Sequence, residues 1–247
     1  MAASASMSLE RYHRIRKLLA SRQPSLTVCL EQVHKRHNVS AVVRSCDAVG
    51  VHRVHAVAEK KARISKGTAM GSQNWVYTDT HRCIEDVVSH LKKQKMQVLV
   101  THLSEDAVDF REIDYTQPTA IILGQEKYGA TEQAIALADK NIVIPMVGMV
   151  QSLNVSVAAA LVLYEAQRQR QAAGMYAQQQ LTEQECQRML FEGAFPKFKD
   201  MCERKNVPYP HIDENGHIVA DESWWLQMQM TKKGHKQFIA QQEQATL

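Results

Sequence analysis

The chain has 247 residues, 45% hydrophobic and 23% charged, with a formal net charge of +4, which suits one large or two small domains and excludes a wholly disordered protein. It has no apolar run long enough for a transmembrane helix, and the small polar stretch Met1 to Met7 lacks the apolar core of a secretory leader. Five scattered cysteines (Cys29, Cys46, Cys83, Cys186, Cys202) form no Cys-x-x-Cys pair, which excludes a disulfide scaffold and points to free thiols in a reducing, cytoplasmic setting.

In chain order, the first expected element is a basic amphipathic helix. Tyr12, Ile15, Leu18 and Leu19 recur at helical spacing among Arg11, Arg14, Arg16, Lys17 and Arg22, and Gln23-Pro24-Ser25 ends it. From residue 26 strands and helices alternate. Leu26 to Val33 reads as a strand, Asn38 to Val49 as a helix closed by Gly50, and Val54 to Ala58 as a strand. Ile84, Val87, Val88 and Leu91 form a helical stripe ending at Lys92-Lys93. Val98-Leu99-Val100 and Ala120 to Leu123 read as buried strands. Thr131 to Asp139 reads as a helix, Ile142 to Ile144 as a strand, and Asn154 to Gln171 as a long helix. This alternation predicts an α/β fold with a mostly parallel sheet covered by helices on both faces. After Gly174 the composition becomes polar. A helix around Met189 is expected, then a turn at Asn215-Gly216, a packed Trp224-Trp225 pair, and a frayed tail from Lys232. The expected division is a basic extension over 1–25, a central domain over 26–175, and a helical extension with a polar tail over 176–247.

A parallel sheet invites a search for nucleotide motifs. No Gly-x-Gly-x-x-Gly follows the first strand. The run Gly124 to Thr131 has the glycine spacing of a phosphate loop, but Ala130 stands where that loop needs lysine and Glu126 would repel phosphate, so an NTPase is rejected. His34 and His37 are spaced like a metal pair without an obvious third ligand, and no metal is expected. No Gly-x-Ser-x-Gly elbow is present, which disfavours an α/β-hydrolase.

Three clusters are harder to explain as packing. His37 to Arg44 places an arginine on an otherwise apolar helix, where a partly buried guanidinium would need an anion, while Asn38 is placed to cap that helix. Leu123 to Gly129 lies at the carboxyl end of a strand, the usual crevice of open α/β sheets. Ile144 to Ser156 leaves a strand through a glycine-containing loop and opens a long helix, with free N–H groups and small side chains suited to a polar ligand.

In this order the clusters resemble the three motifs of the SpoU/TrmH family, within the SPOUT class of RNA methyltransferases. Asn-x-x-Ala-x-x-Arg at Asn38–Arg44 is similar to its first motif and Leu-Gly-x-Glu-x-x-Gly at Leu123–Gly129 to its second. The run from Ile144 through Ser152-Leu153-Asn154 to Ser156 is similar to its third. The segments Arg22-Gln23-Pro24, Asp109 to Glu112 and Glu165 to Arg170 resemble the branch acting on guanosine 18 of tRNA, over about residues 10 to 230.

The resemblance implies a SPOUT-type fold with a C-terminal trefoil knot, a homodimer with its active site at the subunit interface, and a tRNA substrate. It also implies S-adenosyl-L-methionine as methyl donor, with no metal. The implied reaction methylates the ribose 2′-hydroxyl of guanosine 18. The alternatives are a ribosomal RNA substrate or a non-catalytic RNA-binding module.

By the same resemblance Thr101, Gly124, Ile144, Met146 and Leu153 hold the donor. Arg44 carries catalysis, either as general base or as a bidentate phosphate clamp that orients the ribose; the second role suits a permanently protonated side chain. Asn38 is expected to orient Arg44, Glu126 and Asn154 to anchor the polar network, and Ser152 to bond substrate or donor. Phosphate contacts are expected from Arg11, Arg14, Arg22, Arg168 and Arg170, with His34 near the target nucleotide.

Overall fold

The computed structural model describes residues 5–58 and 66–230. Seven parallel strands form one sheet in the order β3-β2-β1-β6-β4-β7-β5: β1 (Gln23–Glu31), β2 (Val51–Val57), β3 (Tyr77–His81), β4 (Gln97–Thr101), β5 (Val108–Asp109), β6 (Thr119–Leu123) and β7 (Lys140–Val143). The central strands are near-continuous apolar runs because both faces are covered. Alternate residues serve separate cores: Val28, Leu30, Leu99 and Ile121 face one, Cys29, Val98, Val100 and Ile122 the other. Helices α2 (Arg36–Ala48) and α6 (Val155–Ala172) bury Val39, Val42, Val43, Ala159, Val162 and Leu163 in the first core. Helix α4 (Ile84–Lys93) buries Ile84, Val87, Val88 and Leu91 in the second, beside α5 (Glu132–Leu137). α3 (Lys66–Ala69) is a single turn. Strand β6 lies between β1 and β4, and β7 between β4 and β5, so strands made late enter between strands made earlier.

This sheet and its helices form one compact unit, Ala20–Gln180. A second unit joins the described residues before Ala20 to those after Gln180. It contains nearly all of α1 (Leu9–Ala20), α7 (Glu183–Ala194), α8 (Pro196–Lys205), α9 (Glu222–Gln229) and the hairpin β8 (His211–Ile212) and β9 (Ile218–Val219). The chain segment ahead of α1 pairs with the hairpin: the Met7 N–H donates to Gly216 O at 3.0 Å and the Ile218 N–H to Ala5 O at 3.1 Å. Thr182 and Glu185 form a capping box on α7, and Arg16 pairs with Glu183 through both carboxylate oxygens. Trp224 is buried among Phe191, Phe198 and Trp225. The expectation for the tail from Lys232 lies outside the described residues.

Several local expectations change. β1 begins at Gln23, so Pro24 lies inside a strand rather than in a helix-ending loop; the pairing with β2 is irregular between Gln23 and Thr27, where a missing N–H is tolerated. Helix α2 begins at Arg36 with Lys35 as N-cap, so Asn38 sits inside the first turn and does not cap it. Strand β3 was not anticipated; its sequence Tyr-Thr-Asp-Thr-His is polar and half-buried because it edges the sheet.

Candidate active site

The carboxyl ends of β4, β6 and β7 and the amino end of α6 enclose a cleft of about 300 Å³. Thr101, Gly124, Ile144, Met146 and Leu153, from four separate stretches of sequence, all line it, as do Glu126 and Ser152. His102, Gln125, Lys127 and Gln151 also line it and were not singled out from the sequence. The signal was adjacency, since His102 follows Thr101 and the other three lie inside the second and third motif stretches.

The loop after β6 is a tight knuckle. The N–H of Gln125 donates to Gly129 O and the N–H of Gly129 to Gln125 O, both at 3.0 Å. A Cβ on Gly124 would stand 2.1 Å from Ala130 N and from Gly129 C, so only glycine fits. The Glu126 side chain projects from this loop and meets α2. Asn38 Nδ2 donates to Glu126 Oε1 at 2.6 Å, and Asn154 Nδ2 donates to Asn38 Oδ1 at 3.3 Å. Asn154 is the N-cap of α6, its Oδ1 accepting from the Ser156 N–H at 2.9 Å. One buried amide therefore ties together the beginnings of α2 and α6 and the loop after β6. Partial burial pushes the Glu126 carboxyl up. The Asn38 bond, its own backbone N–H and the charges of Lys35 and His34 outweigh that, and it stays below the usual carboxylate range.

Asn38 does not orient Arg44. Both ends of its amide are engaged elsewhere, and six helical residues separate the two by about 9 Å along the axis and a third of a turn around it. Arg44 is also exposed rather than partly buried, and no hydrogen bond or ion pair holds it among the described residues.

A profile of the SpoU rRNA Methylase family matches residues 25–164, and one described as SpoU, rRNA methylase, C-terminal, matches residues 168–221. The chain is 60% identical over 226 residues to the tRNA (guanosine(18)-2'-O)-methyltransferase of Escherichia coli, covering 90% of this chain and 99% of that one. The chain belongs to the SpoU methylase family. Among solved structures, the A. aeolicus TrmH/SpoU tRNA modifying enzyme matches with a TM-score of 0.72 and 44% identity, over 76% of this chain and 98% of that one. The SpoU methyltransferase AviRb from Streptomyces viridochromogenes, solved in complex with AdoMet, matches with a TM-score of 0.56 and 27% identity, over 61% and 62% of the two chains.

Two of the expected phosphate contacts on this SpoU chain are corrected. Arg170 has no exposed surface: it donates to the carbonyls of Tyr115, Ser25 and Gln117 and to the side chains of Gln23 and Ser25. Burial lowers its pKa to about 10, so it remains charged at neutral pH. Arg22 is likewise fully buried, donating to Val51 O at 3.0 Å and pairing with Asp47 at 2.5 Å. Helical spacing from the apolar stripe misled here: a guanidinium off the stripe still lies inside when the neighbouring strand ends offer it enough carbonyls. Arg11, Arg14, His34 and Arg168 are exposed, Arg168 in a two-bond pair with Glu165.

Proposed function

We propose that this chain transfers the methyl group of S-adenosylmethionine to the ribose 2′-hydroxyl of guanosine 18 in tRNA. The observation that carries the reading is the convergence of all five expected donor-binding residues on one cleft, joined through Glu126 to the Asn38–Asn154 network. The E. coli relative is a tRNA (guanosine(18)-2'-O)-methyltransferase, which supports the substrate.

The lining suits the donor. Ile142, Ile144, Leu153 and Val155 offer apolar surface to a heteroaromatic base, Thr101, Gln125 and Ser152 offer polar ends, and the ionised Glu126 suits a cationic ligand. When bound, the donor supplies an electrophilic methyl group. The chain's own part is positioning and electrostatics. The unpaired guanidinium of Arg44 grips the phosphate beside the target ribose bidentately, orients the hydroxyl and stabilises the oxygen charge as it develops, while the proton leaves to phosphate or water. Ser152 bonds donor or substrate at the rim, and Asn38, Glu126 and Asn154 keep the loop ends in register.

Residues 26–175 carry the transfer apparatus, and the flanking segments serve the RNA through Arg11 and Arg14, with Arg168 at the end of α6 and His34 near the nucleotide. Val157, Leu161 and Tyr164 form an exposed apolar stripe on α6 at i, i+4 and i+7, which supports a homodimer with shared sites. The entry of β6 and β7 between earlier strands supports the knotted path. The reading places the enzyme in the cytoplasm, where tRNA is modified.

The test is labelled methyl transfer to unmodified tRNA followed by nucleoside analysis. The expected product is 2′-O-methylguanosine at position 18, and a tRNA carrying another base there should accept no label. Label on ribosomal RNA alone, or on no RNA, would overturn the reading.

A further inference from the structure

The loop bearing Glu126 is held by a residue outside the cleft. Glu31 closes β1 and is only 2% exposed. Its Oε2 accepts the backbone N–H of Thr131 at 2.9 Å and its Oε1 the Thr131 hydroxyl at 2.6 Å. Thr131 is the residue at which the loop after β6 ends and α5 begins. The neighbouring Gln32 adopts a left-handed φ of 54° and supplies a second hold: its Oε1 accepts from Gln125 Nε2 at 3.3 Å, while its N–H donates to Val57 O at 3.2 Å. The end of β1 thus grips the loop at its exit and at its shoulder. Between these holds lie Glu126, Lys127 and Gly129, which line the cleft together with Gly124 and Gln125.

A buried carboxylate is an expensive way to finish a strand unless its bonds do something an apolar side chain cannot. Capping α5 does not explain it, because Thr131 Oγ1 already accepts from the Ala134 N–H at 3.1 Å. What the acid adds is two charge-assisted bonds that fix where the loop exits. The Gln125–Gly129 closure makes the knuckle rigid, so a shift at Thr131 is transmitted to Glu126 rather than absorbed.

We infer that Glu31, acting through Thr131, is a positioning residue for the Gly124–Gly129 loop and sets that loop's fit to the methyl donor. The inference deepens the proposed function and rests on it. Glu31→Gln keeps the shape but turns an NH₂ group toward one of two donors. Thr131→Val removes the hydroxyl's bond to Glu31 together with its cap on α5, and Thr131→Ser restores both.

The probe is S-adenosylhomocysteine, titrated calorimetrically, together with Tm, the KM for S-adenosylmethionine and kcat at saturating tRNA. Glu31→Gln and Thr131→Val should each raise the probe's Kd and the donor KM by about tenfold, with kcat changed much less, as expected where binding geometry rather than a bond to the reacting atoms is lost. The KM for tRNA should be unchanged, and Thr131→Ser should bind like wild type. Asp47→Asn, which weakens the buried Arg22 pair elsewhere in the sheet unit, serves as the comparison: it should lower Tm and leave Kd alone. Glu31 and Thr131 variants that lower Tm in the same way but keep wild-type Kd would overturn the positioning role. If Glu31→Gln does not fold, Thr131→Val decides. A wild type that binds the probe but labels no tRNA overturns the function and leaves the loop comparison valid; one that does not bind the probe overturns both.

Discussion

Arg44, Arg168 and Arg170 carry the same charge and do three different things. Arg44 stands exposed on α2 without an internal partner, so Arg44→Ala should lower methyl transfer by roughly 10²–10³ or more while probe affinity and Tm stay near wild type. Arg44→Lys should fail almost as badly, because a point charge cannot reproduce the planar fork. Near-normal turnover by the alanine variant would remove Arg44 from the mechanism. Arg170 reaches five acceptors from a fully buried position, and Arg170→Ala strands them, so thermal unfolding should report a loss of about 3 kcal/mol or more. Arg168 shares two bonds with Glu165 at an exposed site, where pairs are worth about 0–1 kcal/mol, so Arg168→Ala should barely move Tm. It should instead flatten the log–log salt dependence of tRNA binding, by roughly 0.9 for a lost duplex phosphate contact. A lower Tm with an unchanged salt slope would make Arg168 structural. His55 shows a fourth kind of behaviour. Burial lowers its pKa from 6.5 to about 4, helped by His81, His90 and Arg53 and opposed by Asp79. The unfolded chain therefore binds more protons between those values, and stability present above about pH 6.5 declines as pH falls toward 4, by on the order of 3 kcal/mol. Denaturant unfolding across that range should show the slope, and His55→Gln should flatten it.

Among the elements, the loop after β6 is tightly closed on itself. Gly124 lies against its own loop's return path, so Gly124→Ala must push Gly129 and Ala130 away, and the expected result is loss of S-adenosylhomocysteine binding by calorimetry. Retained affinity would mean that the loop has another conformation able to bind. The cores of α2, α4, α6 and the central strands were legible because their apolar positions repeat with the period of the element. The start of α2 was not. Asn38 has the chemistry of a cap, and only the arrival of Glu126 and Asn154 from distant sequence shows why it is instead buried within the first turn. β3 escaped because an edge strand carries polar residues on a half-buried face.

For the molecule as a whole, the exposed stripe on α6 makes a prediction about assembly. Leu161→Asp together with Tyr164→Asp should convert a dimer into a monomer by light scattering and abolish methyl transfer with little loss of Tm. Mixing an Arg44→Ala protein with an Arg11→Ala, Arg14→Ala protein should restore part of the activity if the two chains share sites. A stable and fully active monomer would end the shared-site reading.

The sequence by itself determined the alternating strands and helices, the apolar runs of a sheet covered on both faces and the three motif stretches, whose family resemblance pointed to five of the residues that line the cleft. The elements follow from local periodicity, and the motif stretches from residue types at fixed spacings along the chain. Only the tertiary structure decided which cations are free. Arg22 and Arg170 look like surface charges on a helical wheel, but backbone carbonyls and acids from remote segments surround them, and Arg44 looks half-buried until the helix is seen to present it outward. Glu31 likewise gives no sign in the sequence of its tie to a residue 100 positions later. The physical reason is common to all of these: periodicity reports the face a residue occupies on its own element, whereas hydrogen-bond satisfaction depends on groups brought there by the rest of the chain.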